Sequence, residues 1–411
     1  AIIFGAIDSI EIGGTGDLEL RAKGLPTSPE WEVKFKATSG FLRFHEPEFS
    51  LSDLTGLILL SDKALKWKDL SGSALGFEAF TSGELYSAGS QRSFARVDIP
   101  KLSLFVLWNR LVKGSLKELL LPFAPKGSGR AAVRLIRPLD IDTREVYLDF
   151  LGQQIDFGLL FKFRKVQLNV LLKGKSFSEG SFLWDSLSVR GEKGGGGKSL
   201  LRRSEKGIAC EFNWPFETGS ITGTGEITFA EPPKLSFNVN VGSLSLKALW
   251  KLFGFDLAPN GLAEGRLEFT LTPKTTKGYG SLQVKHLLFK NYLGKLLAAV
   301  GSDPDTEFRA GKLEFNFIDQ GIALNCCMQE GLQSLVILRG TLSIGGSASI
   351  KALRIVNVER KRVEDWIASG YPPWTLSEKD KANAKAAILL GPVTSDNVMP
   401  LLLEQFFSEA E

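Results

Sequence analysis

Histidine and cysteine, the side chains that most often perform catalysis or bind metals, are scarce in this chain. It has two histidines, His45 and His286, and three cysteines. His45 neighbours a glutamate and His286 lies in a strand-like stretch, so we interpret both as structural. Cys326 and Cys327 are adjacent within an apolar run, so packing is their expected role. A bridge from Cys210 to either of them stays open in an oxidising compartment.

Residues 194–199 (GGGGKS) superficially resemble a phosphate-binding loop. That motif needs a glycine where Glu192 stands and a strand before it with a helix after it, so we favour a mobile hairpin tip. The sequence also lacks a Gly-x-Ser-x-Gly turn, a metal-spaced His/Cys/Asp cluster and a cysteine near a base. It therefore predicts no catalytic residue, no metal site and no cofactor. A glycosidase, which needs only two carboxylates, remains the enzymatic alternative.

The composition is that of a folded protein with unusual amounts of glycine and phenylalanine. Among 411 residues there are 43 Gly and 29 Phe, and 43% of the chain is hydrophobic and 23% charged. These values exclude a disordered tail and a multi-span membrane protein. The net charge of +4 suits contact with anionic headgroups but is too small to indicate a nucleic-acid partner.

Membrane anchoring is expected to depend on residues outside this chain. The longest apolar stretch, residues 102–121, is interrupted by Arg110, Lys113, Lys117 and Glu118, which disfavours a transmembrane helix. The sequence begins without an initiator methionine or a basic leader segment, so we expect a processed or truncated product.

Alternation of apolar and polar residues with a period of two dominates the sequence. Residues 31–37 (WEVKFKA) and 235–241 (LSFNVNV) show it most clearly, and each predicts a strand with one apolar face. We expect the opposite face to be exposed to solvent almost everywhere. The pattern recurs at Val146/Leu148/Phe150, Val166/Leu168/Val170/Leu172, Leu267/Phe269/Leu271, Leu282/Val284 and Leu313/Phe315/Phe317.

A Gly-x-apolar-x-apolar unit recurs at variable spacing, which favours a meander of hairpins over a solenoid. Its glycines are predicted to start strands after tight turns, where a positive φ is needed. The copies begin at Gly16, Gly83, Gly225, Gly265, Gly280, Gly311 and Gly340. Helices are predicted only at residues 102–121 with a break near Gly114, at 244–253, at 292–300 and in the tail after Glu359.

The C-terminal half resembles a known family, the bacterial AsmA-like proteins related to TamB and, more distantly, to bridge-like lipid-transfer proteins. The resemblance rests on a helix at 246–255 (LKALWKLFGF) followed by a Gly-x-Leu strand at 260–269 (NGLAEGRLEF). A second helix at 293–300 then leads through 305–315 (DTEFRAGKLEF) into closing strands at 322–350. Before residue 191 the resemblance is limited to the general pattern of predicted strands and glycines.

This resemblance implies a periplasmic protein tethered to the inner membrane, with a curled sheet whose apolar groove carries phospholipid towards the outer membrane. Other envelope proteins could bind its ends. We accordingly divide the chain into an N-terminal β-sheet segment (1–190), a flexible loop or linker (191–206), an AsmA-like β-groove segment (207–355) and a helical tail (356–411). The loop, the tail and the lack of an anchor depart from the family pattern.

The predicted fold class is all-β and mainly antiparallel, an elongated curled β-sheet forming an apolar groove with a few short α-helices. A closed sandwich, in which a second sheet covers the apolar face, is the alternative. In the groove interpretation the chain is a non-enzymatic lipid conduit whose partner is phospholipid or another acyl-chain lipid. The alternative function is an outer-membrane protein assembly factor or adhesion protein that uses strand edges. The predicted groove-lining residues are Val33, Phe35, Leu235, Phe237, Val239, Leu267, Phe269, Leu271, Leu313, Phe315 and Phe317.

Overall fold

The computed structural model confirms the all-β, antiparallel class, with strands taking up 72% and helices 14%. Most strands pair with the next one along the chain, as a meander requires. The described residues are 10–25, 28–45, 48–61, 63–86, 93–137, 145–158, 161–174, 176–189, 191–252, 260–289, 292–303, 305–318, 321–343, 347–369, 376–392 and 398–407.

The described residues form twenty-five strands. They are β1 Ile10–Leu25, β2 Ser28–His45, β3 Glu48–Ser61, β4 Ala64–Ala74, β5 Phe77–Tyr86, β6 Ser93–Ser103, β7 Pro125–Lys126, β8 Ser128–Arg137, β9 Glu145–Phe157, β10 Phe161–Lys173, β11 Ser176–Trp184, β12 Ser186–Val189, β13 Glu192–Gly194, β14 Gly197–Arg203, β15 Gly207–Phe216, β16 Gly219–Thr228, β17 Lys234–Ser245, β18 Asn260–Leu271, β19 Thr276–Leu288, β20 Phe308–Ile318, β21 Gly321–Gly331, β22 Ser334–Ser343, β23 Ser347–Ile355, β24 Ala384–Pro392 and β25 Val398–Leu401.

The described helices are short, and the predicted ones occur where expected. The break near Gly114 separates α1 from α2, and a 3₁₀ turn, Leu121–Phe123, follows α2. The helices are α1 Leu104–Leu111, α2 Gly114–Leu120, α3 Leu246–Leu252, α4 Tyr292–Ala299, α5 Arg360–Ser369, α6 Glu378–Ala382 and α7 Leu403–Phe407.

The chain divides into two compact units, which we describe separately. The first contains Ala1–Leu187 and Lys198–Ile208, and the second contains Ser188–Gly197 and Ala209–Glu411. The chain thus changes unit three times between residues 187 and 209. Residues 356–411, predicted as a separate tail, belong to the second unit.

In the first unit, strands β1 to β6 and β8 to β11 pair antiparallel in succession and place apolar residues on one face, its inner face. One row across this face is wholly buried, although no second sheet among the described strands of the unit covers it. The sheet must therefore curl around its own apolar face. The row consists of Phe35, Ile58, Trp67, Ala95, Leu135 and Val146.

β-Bulges with left-handed residues provide this curvature. Asp53 in β3 has φ 54° and Asp69 in β4 has φ 51°, and the register shifts beside both. The second unit repeats the device in β17 and β19, where Ser243 has φ 48° and His286 has φ 55°. A bulge adds one residue to one strand and increases the local twist, so neighbouring bulges bend the sheet. Asp and His tolerate the left-handed region better than most residues.

The recurring glycines do not start strands, contrary to the sequence prediction. Gly225 and Gly280, for example, lie in the middle of β16 and β19. Gly265 and Gly340 also lie inside their strands. Their φ values of 154° and 150° are positive, a backbone conformation that glycine adopts far more readily than residues with a side chain. Glycine in these strands therefore serves curvature and close packing rather than the turns.

Two segment predictions are wrong. Residues 191–206 are not a flexible loop, because they form β13 and β14, and the Gly195 N–H donates to the Pro215 carbonyl at 2.8 Å. The hydrogen bonds between paired strands join backbone groups and need no side chains, so a run of glycines can form part of a sheet. Residues 356–411 are not simply a helical tail, because β24 lies between α6 and β25 and pairs antiparallel with β23.

The expectation of one wet face also fails at the end of the second unit. In β22 to β24 both faces are buried, and the outer face shares one buried cluster with residues of α5 and α7. Helix α7 contacts β23 and β24, and α5 contacts β20 and β21. The buried residues of this outer layer are Cys327, Leu335, Ile337, Leu353, Ile355, Val358, Val363, Trp366, Ile367, Leu376, Ala386 and Phe406.

Candidate functional site

An apolar recess opens on the inner face of the second unit, the face that carries Leu313 and Phe315. The cavity within it has a volume of about 40 Å³, and the open space reaches about 500 Å³ only when the solvent at its mouth is counted. Side chains from α3, β19, α4 and β20 to β23 surround it, and every one is apolar. They are Leu246, Trp250, Val284, Leu287, Phe289, Leu293, Leu313, Leu324, Cys326, Leu338, Leu342 and Ile350.

A ladder of aromatic rings leads away from this recess across the same face. The ring of Trp250, which lines the recess, packs against Phe315 with centroids 5.9 Å apart, and Phe315 lies 5.6 Å from Phe317. The ladder continues from Phe317 to Phe269 at 5.8 Å and from Phe269 to Phe237 at 4.9 Å. Edge-to-face and offset contacts of this kind are favourable in pairs of aromatic rings.

The ladder reaches its far end at β15, where the ring of Phe212 lies 6.2 Å from Phe237 and 4.9 Å from Trp214. Phe315 is almost fully buried, whereas Phe317, Phe269 and Phe237 are half-buried. The ladder therefore offers ring surface to an apolar ligand beside the recess.

Glycines in β16 and β19 make room for the rings. Gly278 stands between Phe269 and Phe317 in the register, and Gly225 stands opposite Phe237. A Cβ at Gly225 would lie 2.9 Å from the Phe237 ring, and one at Gly280 would overlap the ring of Phe315. The rings thus lie over bare backbone of the neighbouring strand, and any side chain there would displace them.

The opposite face of β17 to β20 is polar and internally paired. Ser236 and Thr270 hydroxyls are 3.1 Å apart, and the Lys312 ammonium lies 2.8 Å from the Glu314 carboxylate. The Tyr279 hydroxyl donates to the same carboxylate at 3.3 Å. The sheet therefore separates an apolar face from a charged one, as the alternation predicts.

The structure divides the predicted lining residues between the two units. Val33 and Phe35 lie on the inner face of the first unit and are buried. The other nine lie on the inner face of the second unit, but Leu313 alone among them lines the recess. Of these nine, Leu235, Val239, Leu267, Leu313 and Phe315 are buried, and Phe237, Phe269, Leu271 and Phe317 are half-buried.

Sequence reasoning missed the recess because most of its walls come from segments not counted as lining. Trp250 lies in a segment that the sequence predicts to be helical, and its place over the sheet depends on how α3 packs. Leu324, Leu338 and Ile350 lie on the closing strands. The alternation of apolar residues along these strands is present in the sequence, and it is the signal that would have identified these three residues as lining residues.

The two adjacent cysteines point to opposite faces, which explains their packing role. Cys326 lines the recess, and Cys327 belongs to the outer buried layer. Burial raises the pKa of both thiols, that of Cys327 to about 12, so neither is a thiolate at neutral pH. All three cysteines are free, so the bridge left open for Cys210 is not formed.

Metal-binding chemistry is not assembled in the part of the chain that the structure describes, where no cluster of three or more His, Cys, Asp or Glu side chains occurs. His286 is exposed at its bulge, and its Nδ1 lies 2.6 Å from a Glu307 carboxylate oxygen. Over the same residues, no helix combines the length and apolar composition needed to cross a bilayer.

Comparison of the chain with protein-family models, curated proteins and solved structures finds no match.

Proposed function

We propose that this protein is a non-enzymatic lipid-binding protein whose apolar sheet face holds acyl chains. The observation that carries the proposal is the recess in the second unit, with its purely apolar lining and its attached ladder of half-buried rings. A site for a polar substrate would need convergent polar groups, which this lining does not supply.

The energetics favour an acyl chain as the ligand. Transfer of each methylene from water to an apolar site contributes about 0.8 kcal/mol, so ten methylenes would contribute ~8 kcal/mol before the entropic cost of binding. No headgroup contact is needed for such an affinity. The half-buried rings of Phe237, Phe269 and Phe317 extend the apolar surface beyond the recess, so a chain longer than the recess can stay covered.

The resemblance to AsmA-like proteins extends the proposal from binding to transfer. On this basis the protein carries phospholipid across the periplasm between the inner and outer membranes, tethered to the inner membrane by an anchor outside this chain. The separation of an apolar from a polar face in β17 to β19 supports this role, because a lipid can then lie against one face while exposed side chains of the other, such as Glu264 and Glu268, stay in water.

A single-residue comparison tests the proposal. Phe317 and Ile318 are neighbours on β20 that point to opposite faces, and Ile318 is 41% exposed. We expect Phe317→Asp to reduce lipid co-purified from a Gram-negative host several-fold, because a charge interrupts the ladder, while Ile318→Asp leaves it unchanged. Mass spectrometry of organic extracts, normalised to folded protein, measures both.

Two outcomes would contradict lipid binding. One is wild-type protein that carries no lipid and takes up no fluorescent fatty acid from solution. The other is equal lipid in wild type and in folded Phe317→Asp. Failure of that variant to fold would indicate a closed core, and the milder Phe317→Ser variant then repeats the measurement.

A further inference from the structure

Residues 104–124 form a helical excursion between two paired strands of the first unit. Ser103 at the end of β6 and Ser128 at the start of β8 are register partners, so the chain leaves the sheet and returns to it at the same place. The excursion consists of α1, α2 and the 3₁₀ turn. At its base the N–H of Leu104 donates to the carbonyl of Gly127 at 3.1 Å.

The helices of the excursion keep apolar side chains exposed. Apart from Asn109 and Arg110, every residue of α1 is apolar, yet none of its described side chains is buried. Phe105 is 46% exposed, and Leu121 in the 3₁₀ turn is 59% exposed. In α2 only Leu119 is buried. A helix that is apolar all round is normally buried in a core or in a membrane.

Helices of the second unit bury residues of the same types. In α3 Leu249 is 1% and Trp250 5% exposed, and in α4 Leu296 is fully buried. The exposure of the excursion does not come from a missing strand, because β6 pairs with β5 and β8, and β8 pairs with β6 and β9. Its apolar side chains are therefore available to a partner.

Positive charge accompanies these apolar residues. Residues 101–126 contain five basic residues and one acidic residue, an excess that equals the net charge of +4 of the whole chain. Lys113 and Lys126 are exposed, and among the described residues neither has a carboxylate partner. Bases on the neighbouring strands can be neutralised, as Arg134 is by Asp149 at 2.8 Å. The excursion thus presents unneutralised cations together with exposed apolar side chains.

This combination fits the surface of an anionic bilayer better than a protein partner. Helices that lie in a membrane interface place Trp, Phe and Leu at the acyl boundary and Lys among the headgroups, and Trp108 in α1 is half-buried. Interfaces between proteins are instead depleted in lysine.

We propose that the helical excursion docks the protein on an anionic phospholipid bilayer. Phe105 and Leu121 insert below the headgroups. Lys113 and Lys126 contact the headgroup phosphates. Docking of this kind needs no lipid in the recess, so it does not rest on the proposed lipid binding.

Vesicle co-sedimentation of the full chain tests the apolar part of the surface. The wild type should bind vesicles of equal parts phosphatidylcholine and phosphatidylglycerol about tenfold or more tightly than vesicles of phosphatidylcholine alone. Phe105→Ser and Leu121→Ser should each weaken binding to the anionic vesicles about tenfold, because an inserted apolar side chain is lost. Leu151→Ser is the matched control, since Leu151 is a leucine on β9 of the same unit that is 55% exposed, and it should leave binding unchanged.

Neutral substitutions of lysine test the charged part. Lys113→Gln/Lys126→Gln should weaken binding to the anionic vesicles about fivefold for each lysine removed. Lys36→Gln/Lys162→Gln removes the same net charge from exposed positions on β2 and β10 and should have little effect. Equal losses in the two double variants would show attraction by net charge alone and would overturn the proposed surface.

Three further outcomes would overturn the proposal. They are a wild type that binds neither kind of vesicle, equal binding to both kinds, and a loss in Leu151→Ser as large as that in Leu121→Ser. Self-association of the wild type that Leu121→Ser abolishes, without vesicle binding, would make a second copy the occupant instead. Urea midpoints equal to that of the wild type verify that the variants are folded.

Docking and lipid binding can fail independently. Leu121→Ser should keep the lipid that co-purifies with the wild type, and Phe317→Asp should keep vesicle binding. Loss of both properties in Leu121→Ser would contradict a surface that acts only in docking.

Discussion

Strands β17 to β20 and strands β22 to β24 lie in the same unit but differ in how their two faces are buried. In the first group one face is apolar and the other carries pairs such as Lys312 with Glu314. In the second group both faces are buried, because the outer one shares a buried cluster with residues of α5 and α7. Only the first group therefore keeps half-buried rings available to a ligand, while the second provides a rigid core beside the recess.

Matched leucines should give the largest difference between these regions. Leu353 in β23 is fully buried, and Leu271 in β18 is half-buried. Leu353→Asp should cost more than ~4 kcal/mol and abolish folded yield, because an unpaired charge would be buried. Leu271→Asp should cost less than about 2 kcal/mol, because its carboxylate can reach water. Folded yield and urea unfolding measure the difference, and equal losses would show that the two regions are equally closed.

A smaller effect is expected where glycines lie beneath the ladder. Gly280→Ala pushes a methyl group into the ring of Phe315, which is 1% exposed and cannot move aside, so we expect a loss of ~2 kcal/mol. Gly225→Ala meets the Cys210 sulfur and the Phe237 ring, both half-buried and able to turn away, so the loss should stay below about 1 kcal/mol. Denaturant midpoints measure both. Phe315→Leu should partly rescue Gly280→Ala, and a lack of rescue would contradict the ring contact.

The smallest effect concerns the ion pair that links α5 to α6 beside the doubly buried strands. Burial alone would raise the pKa of Asp380, but hydrogen bonds from Arg362 at 2.8 Å and Ser377 at 2.6 Å outweigh it and lower the pKa. The ionised carboxylate therefore stabilises the fold above its unfolded-state pKa of about 3.9, and this contribution disappears as pH falls through the lower native value.

Asp380→Asn should consequently lose about 1 kcal/mol of unfolding free energy at pH 7. The gap to wild type should close on acidification through the native pKa. Urea unfolding followed from pH 7 to pH 2 checks this, with Glu378→Gln as control because Glu378 is an exposed neighbour on α6. A gap that persists at pH 2 would show that the role of Asp380 is not its charge.

Local pattern alone predicted the inner face. Alternation in 235–241 placed Phe237 and Val239 on one face, because successive side chains of any strand point to opposite sides. The helices near residues 244–253 and 292–300 are predicted as well, and the apolar residues of both segments do not follow the period of two that a half-buried strand requires. These predictions depend only on residues close together in the sequence, and the structure confirms them.

What failed depends on partners distant in sequence. Phe315 and Phe317 occupy equivalent positions in the alternating pattern of the sequence. In the structure Phe315 is buried against Trp250 and Phe317 is only half-buried, and this difference depends on how α3 packs. The four successive apolar residues Leu335–Leu338 are typical of a strand buried on both faces, a signal that the expectation of one solvent-exposed face overlooked. The run does not indicate which helices cover the strand.

The sequence by itself determined that this protein is an antiparallel β-protein with an apolar and a polar face, because strand geometry has a fixed period of two. Tertiary structure alone decided which apolar residues are covered, where glycines admit rings and where the recess opens. Exposure depends on the register of neighbouring strands and on helices folded back over them.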